Sequence, residues 1–443
     1  MSDSENLSPP PVPEPESLVQ VPEIPSEPVS DAGEPLPPLP VKGSDWLSVL
    51  QLALSAIAIL GLWGIAFVMG LMGVVGMGSV PGGQANAGFL VQAGGLFFCG
   101  ILVIPSLVTA IRRLQGRPYP LNSRSVLRLH PIIPLLLLIP VLGIGFLASR
   151  DATAGTVLLP MLHGLAVVLP VLFLVILGVR GLPIGSPQRA SGVFSAGLVL
   201  GPLLIVIAES AALIGILIIV IIVIMGKPDM AQLVMEISTK LGGISNDPEA
   251  IMDALAGYIV NPIVLMAVIT FASIIVPLIE ELFKPIGVWF LARRGLTPAA
   301  GFAAGLLSGA GYAVFESIAL NTAGEDWLMV VVARIGTAVI HILTAGFSGW
   351  ALASTWRDRR YLRVPLTYLG VVAVHGFWNA VTLVSAAKEI AATSEIALDA
   401  PMISVIGTIG PYILIGLTIL SFIVLLLMNK NLKRPQNPQP VVE

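Results

Sequence analysis

Ten long apolar blocks organise this chain, at 47–77, 87–111, 131–149, 155–179, 191–225, 257–292, 299–321, 327–353, 364–385 and 402–428. A helix that crosses a bilayer takes about 20 apolar residues. The pattern therefore predicts an all-α, polytopic transmembrane helical bundle of about ten spans. The fifth and sixth blocks are too long for a hydrocarbon core of about 30 Å. Gly201-Pro202 in the fifth, and Pro277 or Pro285 in the sixth, are where those helices would kink.

Composition agrees with the pattern. Hydrophobic residues make up 56% of the chain and charged residues 11%, whereas a soluble domain carries about a quarter charged residues. The net charge of −3 averages two unlike regions, because residues 1–45 hold nine acids, one lysine and twelve prolines. That segment lacks the apolar surface to offset its ordering entropy and reads as a disordered cytoplasmic tail. Cys99 is the sole cysteine, which rules out an intramolecular disulfide and a thiolate metal cluster. The basic residues lie in short loop clusters, so nucleic acid is not an expected partner.

Those loop clusters set the orientation. With the N-terminus in the cytoplasm, 17 Lys and Arg residues fall on the inner side, and Arg150, Lys227, Lys240 and Lys388 on the outer. So large a bias predicts a multi-pass protein of the cell membrane with both termini cytoplasmic. The expected organisation is a tail at 1–45, five scaffold spans over 46–256, five spans carrying the chemistry over 257–428, and a cytoplasmic tail at 429–443.

Ionisable side chains within apolar blocks are costly, and default to functional candidates. The first five blocks contain only His163 and Glu209, read here as structural. The next four contain Glu280, Glu281, Lys284, Glu316, Arg334, His341 and His375. Counting helix rise from flanking charged residues puts Glu280, Glu281, His341 and His375 roughly 18–22 Å in, near mid-bilayer. Glu280 and Lys284 are four residues apart and share a face, as do His375 and Asn379. Gly301, Gly305 and Gly309 form a small-residue stripe that allows close helix packing. Glu316 and Arg334 are expected to neutralise one another nearer the outer surface, above the main cluster.

Two carboxylates and two imidazoles at one depth suit the activation of water. In one arrangement a glutamate is the base, while His341, His375 and Asn379 orient the water or stabilise the oxyanion. In another, Glu281, His341 and His375 hold a metal, with zinc as the candidate cofactor, since two histidines and a glutamate with an open position form a catalytic zinc site. The sequence leaves both open, with Lys284, Glu316 and Arg334 in supporting roles.

At these residues the chain resembles a known family. EELFK (Glu280–Lys284), GAGYAVFES (Gly309–Ser317), His341 and HGFWN (His375–Asn379) resemble the motifs of the PrsW-type intramembrane proteases, within the wider group of CAAX-processing and bacteriocin-processing membrane proteases. The resemblance covers about residues 270–385. It implies endopeptidase activity in or near the bilayer on membrane-anchored substrates, with anti-sigma factors as the implied class. Where the family has Glu-Asn, this chain has Glu316-Ser317.

Other chemistries fare worse. There is no His-Glu-x-x-His zinc helix and no Gly-x-Gly-Asp aspartyl motif. Gly346-Phe347-Ser348-Gly349 matches the rhomboid serine pattern but leaves Glu280 and Glu281 unexplained. A transporter using the mid-bilayer charges would often carry an inverted repeat, but the halves show no similarity and the first half lacks matching charges. A catalytically silent membrane scaffold is the remaining alternative, and the complete set of glutamates and histidines argues against it.

Overall fold

The computed structural model describes residues 46–76, 84–117, 119, 126–225, 262–292, 294–320, 324–393 and 401–433, with four isolated positions between 226 and 261. The tail read at 1–45 and the end of the one read at 429–443 lie outside the described residues. Regular structure among the described residues is entirely helical. Helices α1 (Trp46–Gly76), α2 (Gln84–Leu114), α3 (Ile132–Ala148) and α4 (Ala152–Val179) come first. Next, α5 (Pro187–Ser195) runs through a π-helical turn into α6 (Gly201–Met225). After it, α7 (Pro262–Thr270) runs through a second such turn into α8 (Val276–Phe283) and the short α9 (Ile286–Trp289). The chain closes with α10 (Pro298–Ala319), α11 (Trp327–Asp358), α12 (Arg363–Thr393) and α13 (Pro401–Leu432).

Each apolar block corresponds to one helix or one broken helix. Nine of these, among the described residues, are long and apolar enough to cross a membrane. The third block forms only the 17-residue α3, at the short end of the spanning range of about 17–25 residues. Asp151 caps α4 by accepting from the Ala154 amide at 2.7 Å, which leaves a tight hairpin after α3. Large apolar side chains such as Leu60, Phe67, Ile139 and Met161 stand exposed on the outside of the bundle. In water that surface would be untenable; in lipid it is the expected exterior of a multi-pass membrane protein.

The two long blocks break where proline dictates. Pro277 has no amide for the Ser273 carbonyl four residues earlier. The π-helical turn Phe271–Ile275 immediately before it widens the helix there. The other wide turn, Ala196–Leu200, directly precedes Gly201-Pro202. A third break falls at Pro285, between α8 and α9. There Ser308 of α10 donates to the Lys284 carbonyl at 2.6 Å and accepts from the Gly287 amide at 3.3 Å. The end of the EELFK motif is thus fastened to α10.

Helix α10 is the axis of the bundle: an 18-residue stretch of it is 83% buried, against 11% in α13. Its glycine stripe faces α11. A Cβ on Gly305 would collide with the Ala345 carbonyl, one on Gly301 with the Gly349 carbonyl, and one on Gly309 would sit 2.6 Å from the His341 carbonyl. The close approach therefore fixes where α11 carries His341. Gly305→Val should cost about 1–3 kcal/mol through overpacking and lower the thermal unfolding temperature in detergent. A valine variant as stable as the parent would contradict this account of the α10–α11 contact.

Candidate active site

The wide turn before α8 also positions α12. Asn379 donates to the Ala272 carbonyl at 2.8 Å, and Gly376 lets α12 press against the Ser273 carbonyl. Tyr368 donates to the Leu278 carbonyl at 2.5 Å. These three contacts bind α12 along the wide turn Phe271–Ile275 and α8 and aim His375 at the glutamates. Asn379 was expected as an amide beside the imidazole, contributing to the chemistry. It is instead spent on a carbonyl that the irregular helix leaves available, and its part is to position α12.

Glu280, Glu281, Lys284, His341 and His375 are all buried and meet at one point. That point is the Lys284 ammonium, which is fully buried. Its Nζ lies 2.8 Å from Glu280 Oε2, 2.8 Å from Glu281 Oε1, 2.7 Å from His341 Nδ1 and 3.2 Å from His375 Nδ1. The two imidazoles stand edge to face at 5.1 Å, and Tyr312 of α10 packs edge-on against His341 at the same distance. The lysine also lies 4.8 Å over the Tyr312 ring, where the ring's quadrupole favours a cation.

The two glutamates are held differently. Glu281 Oε1 accepts from Thr344 at 3.2 Å and lies 3.0 Å from His375 Nδ1. Its Oε2 is buried without a hydrogen-bond partner among the described residues. Glu280 Oε2 faces His375 Nε2 at 3.8 Å. Among the described residues, Glu280, His341 and His375 form the group able to hold a metal ion, their donor atoms all within 4.8 Å of one another. Glu280 stands where the sequence reading put Glu281. Adjacent helix positions point about 100° apart, so only one of the pair can join both histidines, and Glu281 is turned toward Thr344.

Glu316 and Arg334 pair at 2.8 Å, and Arg334 Nε donates to the Ser317 hydroxyl at 3.2 Å. Ser317 thus anchors the arginine. This pair was expected to stand apart, above the cluster. Instead Glu316 Oε2 also reaches His341 Nε2 at 2.5 Å, because the α10 stripe draws α11 close enough. Arg334, Glu316, His341 and Lys284 form one continuous chain of polar contacts. A carboxylate holding one ring nitrogen leaves the other as the acceptor or ligand, with the ring's orientation fixed.

Sequence reasoning overlooked three neighbours. Tyr312 lies four residues before Glu316 and Thr344 three after His341, spacings that share a helix face. Glu209, read as structural, is on α6 within electrostatic range of Glu280, Glu316 and Lys284. No spacing rule links it to residues more than 70 positions away. His163, read as structural, is buried in α4 against the backbone of Ser317. Ser348 lies seven residues, about 10 Å of helix rise, beyond His341. His375 is engaged instead by Glu280, Glu281, Lys284 and His341.

Residues 201–407 match the model of the PrsW family intramembrane metalloproteases. Neither a curated protein nor a solved structure was found to match the chain. The matched stretch is just under half of the chain and starts within the fifth apolar block, so it includes Glu209 and α6. Residues 201–407, which contain every residue of the cluster centred on Lys284, are thus similar to the PrsW family intramembrane metalloproteases.

Proposed function

We propose that this membrane protease cleaves membrane-anchored proteins at the cluster of Glu280, Glu281, His341 and His375, with Glu281 accepting the proton of the attacking water. The observation that carries the reading is the convergence of two carboxylates and two imidazoles, from three helices, on one buried point. The unpartnered Glu281 Oε2 supplies a basic oxygen whose orientation is fixed through Oε1 by Thr344 and His375.

The donor set fits a divalent metal. One carboxylate and two imidazoles within 4.8 Å of one another are the protein ligands of a catalytic zinc site with an open position. Glu280, His341 and His375 would hold the ion, which when bound supplies a Lewis acid that polarises the scissile carbonyl and acidifies water. The chain's own groups do the rest. Glu316, braced by Arg334, keeps the His341 ring aimed inward. Glu281 moves the proton, and the packed walls of α10 and α11 exclude bulk water.

A single-span, membrane-anchored protein is the proposed substrate, with anti-sigma factors as the class that the resemblance suggests. The proposed setting is the cell membrane with both termini cytoplasmic, supported by the loop charge bias. Reporter fusions after Lys433 and within 227–250 should report opposite sides, and the same side for both would contradict the topology. For the activity, purified protein in lipid vesicles is mixed with candidate single-span substrates, and mass spectrometry locates the cut. A cut within or beside the substrate's apolar span is expected. Failure to cleave any membrane-anchored substrate would count against the reading.

A further inference from the structure

The ammonium of Lys284 touches one donor atom of each member of the metal-capable trio: Glu280 Oε2 at 2.8 Å, His341 Nδ1 at 2.7 Å and His375 Nδ1 at 3.2 Å. It also touches Glu281 Oε1 at 2.8 Å. A zinc ion bound by the trio would draw one ligand atom from each of the same three side chains, at about 2.0–2.2 Å. Two cations cannot share that space, since even at 3 Å a divalent ion and an ammonium repel strongly in a dry interior.

The arrangement also leaves the lysine imperfectly matched. An ammonium has three protons, while four acceptor atoms crowd around it. Around the point lie three carboxylates, Glu280, Glu281 and Glu316, against two fixed cations, Lys284 and Arg334. With neutral imidazoles the cluster is one negative charge in excess, so it has capacity for more positive charge than the lysine brings.

We infer that Lys284 is an internal cation which occupies the metal seat in the metal-free enzyme, keeps its ligands assembled, and must withdraw when a divalent ion binds. The residue therefore sets the metal affinity. This rests on the metal-holding part of the proposed function, and adds that the seat is contested. An aliphatic side chain here would leave the donors unpaired until metal arrives, whereas a guanidinium would hold the carboxylates permanently.

The test is zinc affinity of detergent-purified protein, measured by competition with a chromophoric chelator, for the parent, Lys284→Met and Lys284→Arg. Lys284→Met should bind zinc about tenfold or more tightly than the parent, because no buried pair has to be broken first. Lys284→Arg should bind about tenfold or more weakly. Thermal unfolding adds a second readout: Lys284→Met should melt below the parent in chelator and gain more than the parent on adding zinc. Should Lys284→Met fold only with zinc present, that too is the predicted behaviour.

A methionine variant that binds zinc no more tightly than a zinc-binding parent would overturn the inference alone. If that variant fails to fold under all conditions, the arginine variant decides, and affinity at or above the parent's overturns the inference. No zinc binding by the parent would overturn the inference together with the metal-holding role of Glu280, His341 and His375.

Discussion

Replacing Glu281 by glutamine should lower turnover by about 10²–10⁴-fold, the usual contribution of a general base, with fold and zinc content retained. The amide keeps the shape of the side chain and can still accept from Thr344 through its carbonyl. It removes the buried, unpartnered Oε2 as a proton acceptor. The partner behaves differently. Glu280 belongs to the trio whose donor atoms lie within 4.8 Å, so Glu280→Gln should lose zinc and activity together. Cleavage kinetics and metal content on the same preparations separate the two. A Glu281→Gln enzyme with more than a tenth of the parent rate would remove Glu281 as the base.

Removal of metal has the second large expected effect. Dialysis against a strong chelator should abolish cleavage, and stoichiometric zinc should restore it, since a site with one open position has no activity without its ion. Ser348→Ala should leave the rate near the parent's, because Ser348 lies well along α11 from the cluster. Full cleavage after the zinc has been stripped would favour water activated by the carboxylate pair alone. In that case Lys284 would remain at the centre throughout the reaction.

The ten apolar blocks were readable because hydrophobicity and loop charge are local properties, and each block became one helix or one interrupted helix. The interruptions were readable for the same reason, since proline removes an amide wherever it falls. Depth counting also brought Glu280, Glu281, His341 and His375 to one level. Rotation about each helix axis was not readable. Spacing along one helix reveals Glu280 beside Lys284, but not that α11 and α12 turn both Nδ1 atoms onto the same ammonium. Lys284 therefore read as a neutralising partner rather than the centre of the site. The exchange of Glu280 for Glu281 in the metal-capable trio has the same origin. Glu316 and Asn379 show a second limit: their partners depend on how closely helices cross, which the glycines at 309 and 376 determine through contacts that sequence spacing does not reveal.

The most direct test of the account is a comparison of the parent with the Glu280→Gln, Glu281→Gln double variant on one membrane-anchored substrate in lipid vesicles. The substrate should be cut by the parent, and the two proteins should be matched for folding by thermal unfolding. The account predicts that the double variant folds and inserts but yields no cleavage above a protein-free control. Cleavage at the parent rate by the double variant would contradict it, and would place the chemistry of this protease elsewhere in the bundle.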